Sequence, residues 1–228
     1  MSKNLSPPIL YLITRGATSE TTSPESPEFQ NLLIQIRAAA AAQIDLVQIR
    51  EKRLNARVLF ELAEQAVEIT RGSSTRILVN DRADIAAGAG AHGVHLTTQS
   101  LDIAVIRNSF ARNLLIGVST HSREEAQLAH EQGADFIVFG PIFSTKSKEQ
   151  FGPPLGLEKL SDVCGNLDHF PVLALGGVSE NNARQCFEAG ASGVGGISLF
   201  TEPVALESVT AAIRKCGLEA VRTKASHP

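Results

Sequence analysis

Three stretches share one shape: "AGAHGVHL" (89–96), "QGADFIVFG" (132–140) and "AGASGVGGI" (189–197). Each closes a helical pattern on a glycine and enters an apolar run within a few residues. Glycine there supplies the left-handed residue that ends a helix. A junction that recurs predicts recurring helix-to-strand units. These stretches contain the runs at 93–96 and 135–140 and open the run at 193–198. Five further apolar runs of strand length flank them: "ILYLIT" (9–14), "DLVQIR" (45–50), "RILVND" (76–81), "LLIGVST" (114–120) and "PVLALGG" (171–177). The runs are mostly continuous rather than alternating, as in parallel strands buried on both faces. Between them "FQNLLIQIRAAAAA" (29–42) and "ARVLFELAEQAVEIT" (56–70) space apolar residues at three and four. Ser122 with Glu125 has capping-box spacing, and Ser179 is an N-cap candidate. Eight strands alternating with helices predict one (β/α)8 TIM barrel over residues 1–228; an open doubly wound sheet is the alternative. The Ser-, Thr- and Pro-rich stretch 15–29 reads as a flexible loop, and "CGLEAVRTKASHP" (216–228) as a last helical turn and a frayed tail, the tail over 218–228.

Composition narrows the class. The 228 residues carry a formal net charge of -3, which argues against non-specific nucleic-acid binding. Cys164, Cys186 and Cys216 are odd in number and lack CxxC spacing, which suits a reducing cytosol better than a disulfide framework or zinc site. The start "MSKNLSPPIL" has no basic-then-apolar signal pattern, and no apolar stretch approaches the roughly 18 residues of a membrane span. The expectation is a cytoplasmic protein without membrane partners; a homo-oligomer is left open.

In such a barrel the chemistry sits where the strands end. "QIREK" (48–52) alternates Gln48, Arg50 and Lys52, which places them on one face of the second strand. Cations aimed inward need an anion; otherwise Arg50 and Lys52 lie in a solvated loop, paired with Glu51. After the third strand, Asn80 can donate and accept, and Asp81 can ligate a hard cation such as Mg2+; a helix-capping turn is the bland alternative. Ser119 and Thr120 end the fifth strand. His121 and His95 read as structural, with His95 packed near the rim. "GPIFSTKSKEQFGPPLG" (140–156) holds Thr145, Ser147 and Lys148 in a long loop between glycines and prolines, a pattern suited to closing over phosphate. The seventh and eighth strands end in "ALGGVS" and "GGIS", whose glycines let backbone N–H groups approach a phosphate. One anion site is thus cationic and metal-capable and suits a diphosphate; the other uses backbone donors and suits a monophosphate. Two phosphorylated ligands across one mouth imply group transfer.

"QIREK", "VNDRADIAAGAGAHGVHL", "GVSTHSREEA", "GADFIVFGPIFSTKSK", "GLEKL" and "LALGGVSENN", in this order from residue 11 to 200, resemble the thiamine phosphate synthase family. The resemblance implies an Mg2+-dependent transferase in thiamine biosynthesis. It would join hydroxymethylpyrimidine diphosphate to hydroxyethylthiazole phosphate with loss of pyrophosphate, through a pyrimidine methyl cation. It implies that Gln48, Arg50, Lys52, Asn80 and Lys148 hold the pyrimidine diphosphate, that Asp81 holds magnesium, and that Ser119 lies by the reacting groups; Ser119 and Lys148 are the catalytic candidates. Thr145 and Ser147 would face the thiazole phosphate, with backbone donors from Gly177, Ile197 and Ser198. One position departs: in "TTQSLD" (97–102), Ser100 stands where the family carries a second acidic metal ligand, and Asp102 is the candidate substitute. Related barrels are thiazole tautomerases; their histidine base is replaced here by Pro141. Tautomerase and non-catalytic phosphate binder are the alternatives.

Overall fold

A computed structural model describes residues 5–97, 99–110, 114–144 and 153–225. The eight expected strands form: β1 Ile9–Ile13, β2 Leu46–Ile49, β3 Arg76–Asn80, β4 Gly93–Leu96, β5 Leu115–Thr120, β6 Phe136–Phe139, β7 Val172–Leu175 and β8 Gly193–Gly196. They pair in parallel in chain order, and β1 also pairs with β8 to close the barrel. The helices are α1 Pro27–Ala41, α2 Ala56–Ile69, α3 Ala83–Gly88, α4 Ile103–Ser109, α5 Arg123–Glu131, α6 Gly156–Asn166, α7 Ala183–Glu188 and α8 Leu206–Ala225. None among the described residues is long and apolar enough to cross a membrane.

Local sequence explains the junctions. Gly90, Gly133 and Gly190 follow α3, α5 and α7 with φ of 69°, 90° and 107°, the left-handed conformation expected of the three repeated stretches. Asn55 and Ser122 cap α2 and α5 by accepting from Val58 N (3.0 Å) and Glu125 N (3.1 Å). Glu125 completes its cap one residue early, on His121 N. Ser179 does not cap α7, which starts at Ala183; Ser179 N instead donates to Asn182 Oδ1 at 2.7 Å. The stretch expected as a tail from 218 is helical to Ala225. Gly217 makes this packing feasible, since a Cβ there would lie 2.8 Å from Pro8 Cβ and 3.1 Å from Phe187 Cζ.

Alternation along the strands divides the core. Leu10, Leu12, Val47, Ile77, Val79, Ile116 and Ile137 face the helices, in the larger apolar cluster. Ile9, Tyr11, Ile13, Leu46, Leu78, Leu115, Phe136, Val138 and Leu173 fill the interior as a separate plug. Period two makes both faces apolar, so the strands read as continuous runs. Tyr11 and Phe136 meet edge-on within the plug, with centroids 5.7 Å apart and planes at 88°. Gly117 makes room for that ring: a Cβ there would sit 2.1 Å from Phe136 Cζ. Gly117→Ala is therefore expected to cost about 1–3 kcal/mol by overpacking, read as a lower urea midpoint at unchanged m-value. Adding Phe136→Leu should recover part of the loss; strictly additive effects would refute the clash.

Candidate active site

The apolar plug gives way to a polar layer toward the C-terminal ends of the strands. Gln48, Asn80, His95 and Ser119 come from β2, β3, β4 and β5, and Tyr11 reaches up from β1. Tyr11 Oη donates to Gln48 Oε1 at 3.0 Å and lies 3.0 Å from His95 Nδ1. His95 Nε2 lies 2.9 Å from Ser119 Oγ. Gln48 Nε2 donates to Asn80 Oδ1 at 2.9 Å, and Asn80 Nδ2 to Asp81 Oδ2 at 2.8 Å. Among the described residues no buried side-chain polar atom lacks a partner. A satisfied layer of this kind holds its members in one arrangement.

His95 is therefore no rim residue: it is 2% exposed and sits inside the barrel. Its pKa falls to about 3, first because burial penalises the cation and second because the Arg50 charge is near. In the sequence Tyr11 reads only as part of an apolar strand run. The sequence signal for both was their inward phase, since His95 and Tyr11 share the parity of Leu78 and Leu46 in the barrel register.

The cationic residues Arg50 and Lys52 follow β2, and the carboxylate of Asp81 follows β3. Arg50 is half-buried; its N–H donates to Thr14 Oγ1 at 2.8 Å, and its charge reaches His95. Lys52 is exposed and shares a cavity of about 190 Å3 with Asn80 and Asp81. The expected partner Glu51 turns elsewhere. It is buried and accepts from Gly16 N (3.0 Å), Thr18 N (3.2 Å) and Thr18 Oγ1 (2.8 Å), so it ties down the start of the loop after β1. That loop gives way to α1 at Pro27.

Asp81 has φ of 58°, an uncommon conformation that aspartate tolerates better than most side chains. Ser100 Oγ donates to Asp81 Oδ1, and Thr97 N donates to Ser100 Oγ at 2.7 Å. Of Ser100 and Asp102, it is thus Ser100 whose side chain is bonded to Asp81, while Asp102 stands exposed at the start of α4. Across the mouth, Ile142 N and Phe143 N donate to Leu175 O and Gly176 O, both at 2.9 Å. This brings the root of the loop after β6 beside Gly177, which has φ of 67° and where a Cβ would meet Ser144 O at 2.7 Å. Ile197 and Ser198 are exposed where β8 leads into a 3-10 turn, Ser198–Phe200. Thr145, Ser147 and Lys148 lie outside the described residues.

Burial of His95 has a consequence for stability. An unfolded histidine takes up its proton near pH 6.5, whereas folded His95 stays neutral to about pH 3. Between these values the unfolded chain binds more protons, so stability falls as pH drops. The contribution is complete above pH 6.5, and below it the slope is about 1.4 kcal/mol per pH unit. His95→Gln should flatten the urea midpoint across this window; unchanged curves would remove His95 as the source.

Comparison with known proteins agrees with this architecture. A family model described as thiamine monophosphate synthase matches residues 10–200. The thiamine-phosphate synthase of Chloroflexus aurantiacus is 36% identical over 206 residues, covering 90% of this chain and 89% of that protein. That of Roseiflexus castenholzii is 32% identical over 218 residues, covering 96% and 94%. The solved thiamine phosphate pyrophosphorylase of Pyrococcus furiosus superposes with a TM-score of 0.75 at 29% identity, over 93% of this chain and 96% of that one. With most of the barrel matched by the family model, and relatives above 30% identity aligned along nearly their whole length, this chain belongs to the thiamine monophosphate synthase family.

Proposed function

We propose that this enzyme joins hydroxymethylpyrimidine diphosphate to hydroxyethylthiazole phosphate, forming thiamine phosphate and releasing pyrophosphate. The observation that carries the reading is the meeting of opposite charges beyond the strand ends: Lys52, which follows β2, lines one cavity with the Asp81 carboxylate that follows β3, and Arg50, two residues before Lys52, brings its charge to His95. A diphosphate bridged to a carboxylate through a cation needs that combination.

Magnesium fits this donor set. The cation ordinarily takes one or two carboxylates and leaves other positions to substrate phosphates and water. Asp81 supplies one carboxylate with the Ser100 hydroxyl beside it. Among the described residues no three His, Cys, Asp or Glu side chains converge on a protein-only cage. The metal would be held by Asp81 and the diphosphate together, with Asp102, exposed at the start of α4, as the candidate second carboxylate. When bound it neutralises charge on the leaving diphosphate.

The remaining chemistry falls to the protein's own groups. The electrons of the C–O bond leave with the diphosphate, and Arg50 and Lys52 stabilise that charge. The thiazole nitrogen's lone pair forms the new C–N bond, so no proton passes to the protein and no nucleophilic side chain is required. Gln48, Asn80 and Ser119 orient the pyrimidine above the polar layer. Lys148, Thr145 and Ser147 complete the diphosphate and thiazole sides, and backbone amides of Gly177, Ile197 and Ser198 take the monophosphate.

Purified enzyme with both substrates and Mg2+ should yield thiamine phosphate and pyrophosphate in equal amounts. Arg50→Ala is expected to lower kcat/KM by about 10²–10³. Asp81→Asn should raise the Mg2+ concentration needed for half-maximal rate. Isomerisation of the thiazole phosphate alone, or binding without turnover, would overturn the reading.

A further inference from the structure

The hydrogen bonds across the barrel mouth run in one direction, and Asp81 sets it. A carboxylate only accepts. Asn80 therefore turns its Nδ2 to Asp81 Oδ2, at 2.8 Å, and leaves Oδ1 for Gln48. Gln48 answers with Nε2, at 2.9 Å, and leaves Oε1 for the Tyr11 phenol, at 3.0 Å. A phenol has one proton, and Gln48 takes it. Toward His95 the Tyr11 oxygen can only accept, so Nδ1, 3.0 Å away, carries the ring proton. In a neutral imidazole Nε2 is then bare, and it takes the hydroxyl hydrogen of Ser119 at 2.9 Å. The opposite sense would press lone pairs of Tyr11 and Gln48 together at 3.0 Å between two buried side chains. Burial of His95 keeps the ring neutral, as the relay requires.

We propose that Tyr11 and His95 are positioning residues: they transmit the polarity of Asp81 to Ser119, whose oxygen then offers a ligand only lone pairs and selects an N–H donor over a carbonyl. The choice of ligand, an amine-bearing pyrimidine over its oxo counterpart, rests on the reaction proposed above; the direction of the relay does not.

NMR of the histidine ring nitrogens in isotope-labelled, ligand-free enzyme tests the relay directly, with His95→Gln used to assign the signal. His95 should show a protonated Nδ1 and a bare Nε2 at neutral pH. Asp81→Asn, which can also donate, should admit the reverse order and raise an Nε2-protonated form. Tyr11→Phe, which removes the acceptor from Nδ1, should do the same. Where turnover is measured, Tyr11→Phe should reduce the kcat/KM preference for the amino- over the oxo-pyrimidine diphosphate by about tenfold or more. An Nε2-protonated His95 in the unaltered enzyme would overturn the inference, as would a tautomer insensitive to both variants. Should Tyr11→Phe fail to fold, the Asp81→Asn spectrum decides. Absence of turnover with either pyrimidine would sink the proposed reaction while the spectra still judged the relay.

Discussion

A polar atom buried inside a barrel must find a partner within the barrel, because no other group can reach it. That requirement shapes the top of this interior. Closure of the parallel sheet points Tyr11, Gln48, Asn80, His95 and Ser119 at one another, and each meets its need through the next. Below this layer the interior is apolar and can be filled by shape alone, as Phe136 does against Gly117 and Tyr11. Above it the strands end and charge becomes affordable. The site is thus a boundary between a dry plug and an open mouth, and the polar layer forms the floor on which a ligand would rest.

The charged groups follow from the same geometry. Arg50, Lys52 and Asp81 lie beyond the strand ends, where solvent offsets the cost of ionisation in the absence of ligand. Glu51, by contrast, is buried, and its carboxylate meets three donors from the loop after β1. That engagement leaves the cations beside it available to an anion. Ser100 makes a different adjustment: a hydroxyl beside Asp81 supplies a proton where a second carboxylate would supply repulsion until a cation arrived.

Much of this molecule was written locally. Apolar runs of constant spacing announced eight buried strands, and Gly90, Gly133 and Gly190 announced how three helices end, because helix closure depends on one residue's conformational freedom. The placement of Gln48, Asn80 and Asp81 at strand ends was legible because strand phase and strand ends are local properties, and the family pattern was carried by contiguous motifs. Tertiary structure alone decided the rest. Ser179 looked like a helix cap, but the chain makes a turn before α7 begins, and α8 continues past 218 because Gly217 fits against Pro8 and Phe187. The parts of Tyr11, His95 and Glu51 depend on partners 37, 84 and 35 residues away. No short stretch encodes those meetings: a side chain's phase is set by its own strand, but its hydrogen-bond partner is set by which strands the closed barrel brings together.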